Sequence, residues 1–157
     1  MHAVIEGNLS AQRYRLGIVV SRFNGEVTAR LLQGALDCLR QHGASDKKID
    51  VFYCAGSYEI PQVARKVAGT KRYQALICLG CVIRGKTPHF EYVAGEAARG
   101  ISNAALATGI PMSFGVLTTD TVEQAMERSG GSLGNKGWHA ALSAIEMATL
   151  WSRIKGK

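Results

Sequence analysis

The sequence predicts an α/β fold: a central four-stranded parallel sheet with helices on both faces, a three-layer αβα sandwich. Three observations predict it. Short apolar, β-branched runs alternate four times with amphipathic helical runs, the pattern of strands joined by crossover helices. Most of these runs end at clusters of Gly, Ser, Asn or Pro, the residues that break regular structure. With 157 residues, 46% hydrophobic and 20% charged, the chain has the length and composition of one globular domain. About two thirds of the unfolded surface is buried at this size, so no staples are needed.

In chain order, residues 15–20 read as the first strand, broken by Ser21-Arg22-Phe23-Asn24-Gly25. Residues 26–42 carry Leu32, Leu36 and Leu39 at helical spacing, and Gly43 is a C-cap. Residues 49–54 form the second strand, ended by Ala55-Gly56-Ser57; Ile60, Val63 and Val67 mark a second helix running to Gly69. Residues 75–79 are the third strand, and a loop is expected over 80–88. A long helix over 89–108 stops at Gly109 and Pro111, and residues 112–117 make the fourth strand. Thr121 with Gln124 three residues on is a capping-box pattern for a helix that ends at Ser129-Gly130-Gly131. The last helix spans 137–154, and residues 1–10 are an N-terminal arm or short strand on a single domain, 1–157. Crossovers should be right-handed, and ligands of such sheets bind at the carboxyl ends of the strands. Those ends are 21–25, 55–59, 80–89 and 118–120, and the first three hold most of the unusual chemistry.

Charge excludes more than it assigns. Nineteen Lys and Arg against twelve Asp and Glu give a net charge of +7. The bases come singly or in pairs (Lys47-Lys48, Arg65-Lys66, Lys71-Arg72) without interleaved aromatics, which argues against nucleic acid and suits an anionic small molecule. No apolar run approaches the roughly 18–20 residues of a membrane span. The first residues lack the charged-then-apolar pattern of a secretory signal, so a cytoplasmic location is expected. Cys38, Cys54, Cys78 and Cys81 lie in apolar periodic segments and are expected reduced and buried.

Four motifs invite chemistry. Residues 80–87 literally fit the phosphate-loop pattern GxxxxGK[ST]. Val82-Ile83 is too bulky and extended to curl around phosphates, and no second strand supplies the magnesium-binding Asp. What survives is Gly85-Lys86-Thr87 beside a helix start, a place for one phosphate. Cys78-Leu79-Gly80-Cys81 lacks the helix start of a redox pair and the second ligand pair of a zinc site, so no metal is expected. His89-Phe90-Glu91 resembles the start of a zinc-deaminase signature, but no cysteine follows residue 81. His89 remains the histidine best placed for proton transfer. Gly134-Asn135-Lys136-Gly137 reads as a turn whose Lys136, with Arg128, offers positive charge to an anion.

Taken together, the segments 21–24, 56–61, 80–85, 89–93, 114–119, 123–128 and 134–137 stand in the order and spacing of the lumazine synthase family. The resemblance runs from about residue 5 to 154. It implies a flavodoxin-like sandwich and a transferase of riboflavin biosynthesis. The reaction joins 5-amino-6-(D-ribitylamino)uracil to 3,4-dihydroxy-2-butanone 4-phosphate, releasing phosphate and water, with no metal or organic cofactor. It implies Phe23 stacked on the pyrimidinedione, Ser57, Tyr58 and Glu59 on the ribityl chain, and the backbone of Cys81, Val82 and Ile83 on the polar edge of the ring. Lys86, Thr87, Arg128 and Lys136 would hold phosphate and His89 would move protons. Phe114 would come from a neighbouring subunit of a pentamer. A shell of sixty subunits and an association with riboflavin synthase are further implications. Three positions depart from the family pattern: Cys81 replaces the usual Thr, Ser132 a common Lys, and His139 a common acidic residue. The alternative is a module that retains a flavin or lumazine without turnover; intact Phe23, Glu59, Lys86, His89 and Arg128 favour the enzyme.

Overall fold

A computed structural model describes residues 1–154. Strands β1 (Leu16–Ser21), β2 (Ile49–Cys54), β3 (Ala75–Ile83) and β4 (Met112–Thr119) form one parallel sheet in the order β2-β1-β3-β4. Helices α1 (Gly25–Gln41) and α5 (Lys136–Arg153) cover one face, while α2 (Ile60–Ala68) and α3 (His89–Thr108) cover the other. The central strands β1 and β3 are buried on both sides, which is why they read as nearly continuous apolar runs. Side chains alternate along them. Leu16, Ile18, Val20, Ile77 and Leu79 enter the core shared with α1 and α5, and Val19, Leu76 and Cys78 the core shared with α2 and α3. Small residues on α5 (Ala140, Ala141, Ala144, Ala148) let α1 approach closely, and Gly137 lies directly against the Leu31 backbone carbonyl.

Three sequence expectations are corrected. β3 does not stop at Leu79: Gly80-Cys81-Val82-Ile83 continues as strand, because β4 also extends and pairs Val82 with Thr118 and Ile83 with Thr119. The loop is therefore 84–88. An extended strand cannot wrap phosphates, which removes the phosphate-loop reading of residues 80–83. Cys78 and Cys81, three apart on one strand, enter opposite cores and cannot form a pair. The segment after α4 (Val122–Glu127) folds into a small hairpin, β5 (Ser129–Gly131) and β6 (Gly134–Asn135), where a plain turn was expected. Gly130 and Gly134 supply its positive φ angles of 107° and 80°. Half of the expected capping box forms: Thr121 Oγ1 accepts from the Gln124 N–H at 3.1 Å, but the Gln124 side chain accepts from the Asp120 N–H.

Residues 1–10 are an arm and form no strand. It is pinned along α5, where the Asn8 N–H donates to Thr149 Oγ1 at 2.8 Å and Arg153 donates to the Glu6 carbonyl at 2.6 Å. Val4 and Ile5 stay exposed. Among the described residues, no helix is long and apolar enough to cross a membrane, and no three metal-ligating side chains gather. The four cysteines are free and buried, and burial pushes Cys78 up to about 12 and Cys38, Cys54 and Cys81 to about 11.

Candidate active site

A cavity of about 650 Å³ opens at the carboxyl ends of β1, β2 and β3. Each wall follows from a local feature. The loop after β1 is tied to the end of β2 by the Arg22 N–H on the Cys54 carbonyl (2.8 Å) and the Phe23 N–H on the Ala55 carbonyl (2.9 Å). Phe23 thereby stands 71% exposed at the mouth of the cavity, a flat apolar face with no core to join. Asn24 takes the left-handed conformation (φ 57°) that starts α1, and its Nδ2 donates to the Cys81 carbonyl at 2.8 Å. Past β2, a single 3₁₀ turn (Ser57–Glu59) brings Ser57, Tyr58 and Glu59 to the second wall. The Glu59 carboxylate folds back to accept the Gly56 N–H at 3.1 Å.

The third wall is the end of β3. β1 pairs with β3 only as far as Leu79, so residues 80–83 overhang it. The Cys81 carbonyl points to this open side, and the period of two puts the Ile83 backbone there too. A planar ligand with hydrogen-bonding edges would meet strand backbone that β1 does not cover, where Asn24 is already bonded to the Cys81 carbonyl. The Cys81 side chain turns away into the α1–α5 core, so Cys81 contributes backbone to the cavity and its thiol none of the chemistry. Thr87 and His89 close the top, His89 as the exposed first residue of α3.

The remaining expected residues are not gathered there within one chain. Lys86 is on the right loop but points into solvent. Arg128 lies against α4, donating to the Gln124 carbonyl at 3.0 Å, and the Lys136 N–H bonds the Arg128 carbonyl across the hairpin. Phe114 pairs in register with Cys78, far from the strand end, and lines a separate apolar groove with Leu106 and Trp151. Ser132 and His139 are both exposed, at the hairpin turn and the first turn of α5. Phe90, Tyr92 and Val93 also line the cavity. Sequence reading did not assign them roles, although Tyr92 and Val93 follow His89 at i+3 and i+4 and so share its helix face. A second cavity, of about 670 Å³, lies between β2 and α2 around Asp50, Lys66 and Tyr73. Its one carboxylate is already bonded to Arg15 and Tyr73.

A sequence model of the 6,7-dimethyl-8-ribityllumazine synthase family matches residues 13–152. The chain belongs to the lumazine synthase family. A relative from Syntrophus aciditrophicus (strain SB), named 6,7-dimethyl-8-ribityllumazine synthase, is 56% identical over 154 residues, which cover 98% of this chain and 100% of the relative. The lumazine synthase match takes in every part of the cavity, from Phe23 to Val93, and also the hairpin that carries Arg128 and Lys136.

Proposed function

We propose that this chain condenses 5-amino-6-(D-ribitylamino)uracil with 3,4-dihydroxy-2-butanone 4-phosphate to 6,7-dimethyl-8-ribityllumazine, releasing phosphate and water, the penultimate step of riboflavin biosynthesis. The observation that carries it is the slot between the Phe23 ring and the overhanging backbone of β3, which opens onto His89 and Thr87 in the same cavity. Phe23 stacks on the ring, and the backbone of residues 81–83 reads its polar edge. Ser57, Tyr58 and Glu59 receive the ribityl chain, with the Glu59 carboxylate accepting from its hydroxyls. Lys86, Thr87, Arg128 and Lys136 hold the phosphate.

The amine of the uracil attacks the ketone carbon. His89 delivers the protons that let water leave to form the imine, takes the proton whose loss expels phosphate, and protonates the oxygen that leaves as a second water when the ribitylamino nitrogen closes the ring on the remaining carbonyl carbon. The reaction needs positioning and proton transfer, with no metal or organic cofactor.

The reading includes assembly, because Phe114 reaches a cavity of this kind only from a neighbouring subunit. It is a pentamer, extended to a shell of sixty, in a cytoplasmic enzyme that hands its product to riboflavin synthase. The exposed N-terminal arm suits pairing with the open edge of a neighbour's sheet.

The test is incubation with both compounds plus a chelator, recording lumazine absorbance and phosphate release, with sedimentation of the same sample. Equimolar lumazine and phosphate from a pentamer or larger particle is expected. No lumazine, dependence on added metal, or full activity in a monomer would each overturn the part it addresses.

A further inference from the structure

The loop 84–88 carries Lys86 and Thr87 and leads into His89, yet it has little packing of its own: all five residues are exposed, and a Cβ on Gly85 would meet nothing within 4 Å. One side chain fastens it. The Arg84 backbone N–H donates to the Thr119 carbonyl at 2.8 Å. Its guanidinium then makes three contacts: Nε donates to Asp120 Oδ1 at 2.8 Å, Nη1 lies 3.5 Å from Glu91 Oε1, and Cζ lies over the Phe90 ring, 4.5 Å from its centroid. Asp120 is itself held, since its N–H donates to Gln124 Oε1 at 2.8 Å on the first turn of α4. Phe90 lines the cavity, but Arg84 does not.

We infer that Arg84 is a positioning residue: it clamps the phosphate-bearing loop and the His89 end of α3 to the end of β4, fixing phosphate ligands and proton donor relative to each other. This rests on the proposed function. An exposed ion pair alone contributes little, and the contact with Glu91 is too long to be a strong hydrogen bond. What distinguishes Arg84 is a guanidinium that bonds one carboxylate through Nε while its Cζ lies over a ring, a geometry Lys does not reproduce. The effect is on placement: displacing a reacting group by about 1 Å costs on the order of 10²-fold in rate.

The experiment compares wild type with Arg84→Ala, Arg84→Lys, Asp120→Asn and the double variant Arg84→Ala/Asp120→Asn. It measures kcat, KM for each substrate, affinity for inorganic phosphate, and melting temperature. Arg84→Ala should raise KM for the butanone phosphate and weaken inorganic phosphate roughly tenfold, and lower kcat by about 10–10²-fold. KM for the uracil, whose contacts lie on the loops after β1 and β2 and on backbone of residues 81–83 that the sheet already holds, should move less than about twofold. Arg84→Lys should behave much more like Ala than like wild type, and Asp120→Asn should show a weaker form of the same split. The double variant should be no worse than Arg84→Ala, because both act through one clamp. Unchanged phosphate affinity and KM in Arg84→Ala, equal weakening of both substrates, full rescue by Lys, or additivity in the double variant overturns the inference. Should Arg84→Ala fail to fold, the Lys and Asn variants decide by the same criteria. A wild-type protein that makes no lumazine refutes the proposed function itself and this inference with it.

Discussion

Gly80 packs against Ser57, which lines the cavity, and adding one methyl there tests the geometry. A Cβ on Gly80 would lie 2.5 Å from Ser57 Oγ, 2.9 Å from Ile60 Cδ1 and 3.2 Å from Ser21 Oγ. The first two distances are shorter than real contacts allow. Ile60 is fully buried and Ser57 nearly so. The hydroxyls of Ser21 and Ser57 have no hydrogen-bond partner among the described residues, so no hydrogen bond is lost when they rotate, but both side chains are buried. Overpacking of this kind costs about 1–3 kcal/mol. Removing a glycine from the unfolded chain returns about 0.4–1 kcal/mol where the new residue is unstrained. With the middle of each range the net is a loss of about 1.3 kcal/mol, which at this chain length lowers the melting temperature by roughly 3–5 °C. Because the displaced group is the 3₁₀ turn Ser57–Glu59, uracil affinity should fall about tenfold, equivalent to about 1.4 kcal/mol, while inorganic phosphate binds as before. Calorimetry and two separate titrations measure this. Gly80→Ala/Ser57→Ala, which removes the closest clash, should recover at least half of the lost stability. An unchanged melting temperature in Gly80→Ala, or equal weakening of both ligands, would refute the reasoning.

Three further outcomes are expected. His89→Ala should lower turnover by about 10²–10⁴-fold in a folded protein and leave slow residual activity, since the substrate amine is itself a nucleophile; single-turnover rates check this. Asp50 is held below the usual carboxylate range, chiefly by the Tyr73 hydroxyl that donates to it at 2.7 Å and then by Arg15. Its stabilisation is therefore present above the unfolded value of about 3.9 and lost as pH falls through the lower folded value. Asp50→Asn should melt below wild type at neutral pH, with the gap closing in acid; a gap independent of pH would contradict the assignment. Gly137→Ala sets a methyl against the backbone of Leu31, where no side chain can move aside, so it should cost more than Gly80→Ala, about 3 kcal/mol or more, read from denaturant midpoints.

The parts of the fold legible in the sequence are those whose information is local. β2 and α3 fall on their expected bounds, since a β-branched run between breaks and a helix ended by Gly109 in its left-handed conformation (φ 71°) need no partner to be recognised. The end of β3 was not legible. Gly80 and Cys81 read as the start of a loop, and only pairing with an equally extended β4 keeps them in strand. The hairpin after α4 escaped notice for the same reason: two short strands joined by Ser132-Leu133 have no periodicity to detect. At the site, residue type and placement marked out His89, and the family resemblance implied Phe23 and Glu59, but the bond by which Asn24 reaches across to Cys81 joins residues 57 apart and could not be read locally. The clamp at Arg84 is of the same kind, for Asp120 is 36 residues away.

The distribution of the expected residues carries one more consequence. Cys78, the register partner of Phe114, is three residues short of Cys81, where β3 begins to line the cavity, which at about 3.3 Å per residue is about 10 Å. No rotamer of Phe114 spans that distance. Yet Phe114 stands 49% exposed on the outer strand of the sheet, beside an apolar groove with Leu106 at 82% and Trp151 at 46%. An isolated chain would leave this patch facing water on an open sheet edge, an arrangement soluble proteins usually cover. Under the proposed function both features have one remedy. A second copy placed on the β4 edge buries the groove, and the Phe114 that was useless to its own cavity becomes available to the neighbour's. Assembly and catalysis would then share their determinants. Phe114→Ala should weaken both the particle in sedimentation and the uracil affinity, while Leu106→Ser, remote from the cavity, should weaken assembly and lose activity only as subunits dissociate. Activity of Leu106→Ser that returns in full when protein concentration is raised supports the coupling; loss of activity in an intact assembly of that variant would sink it.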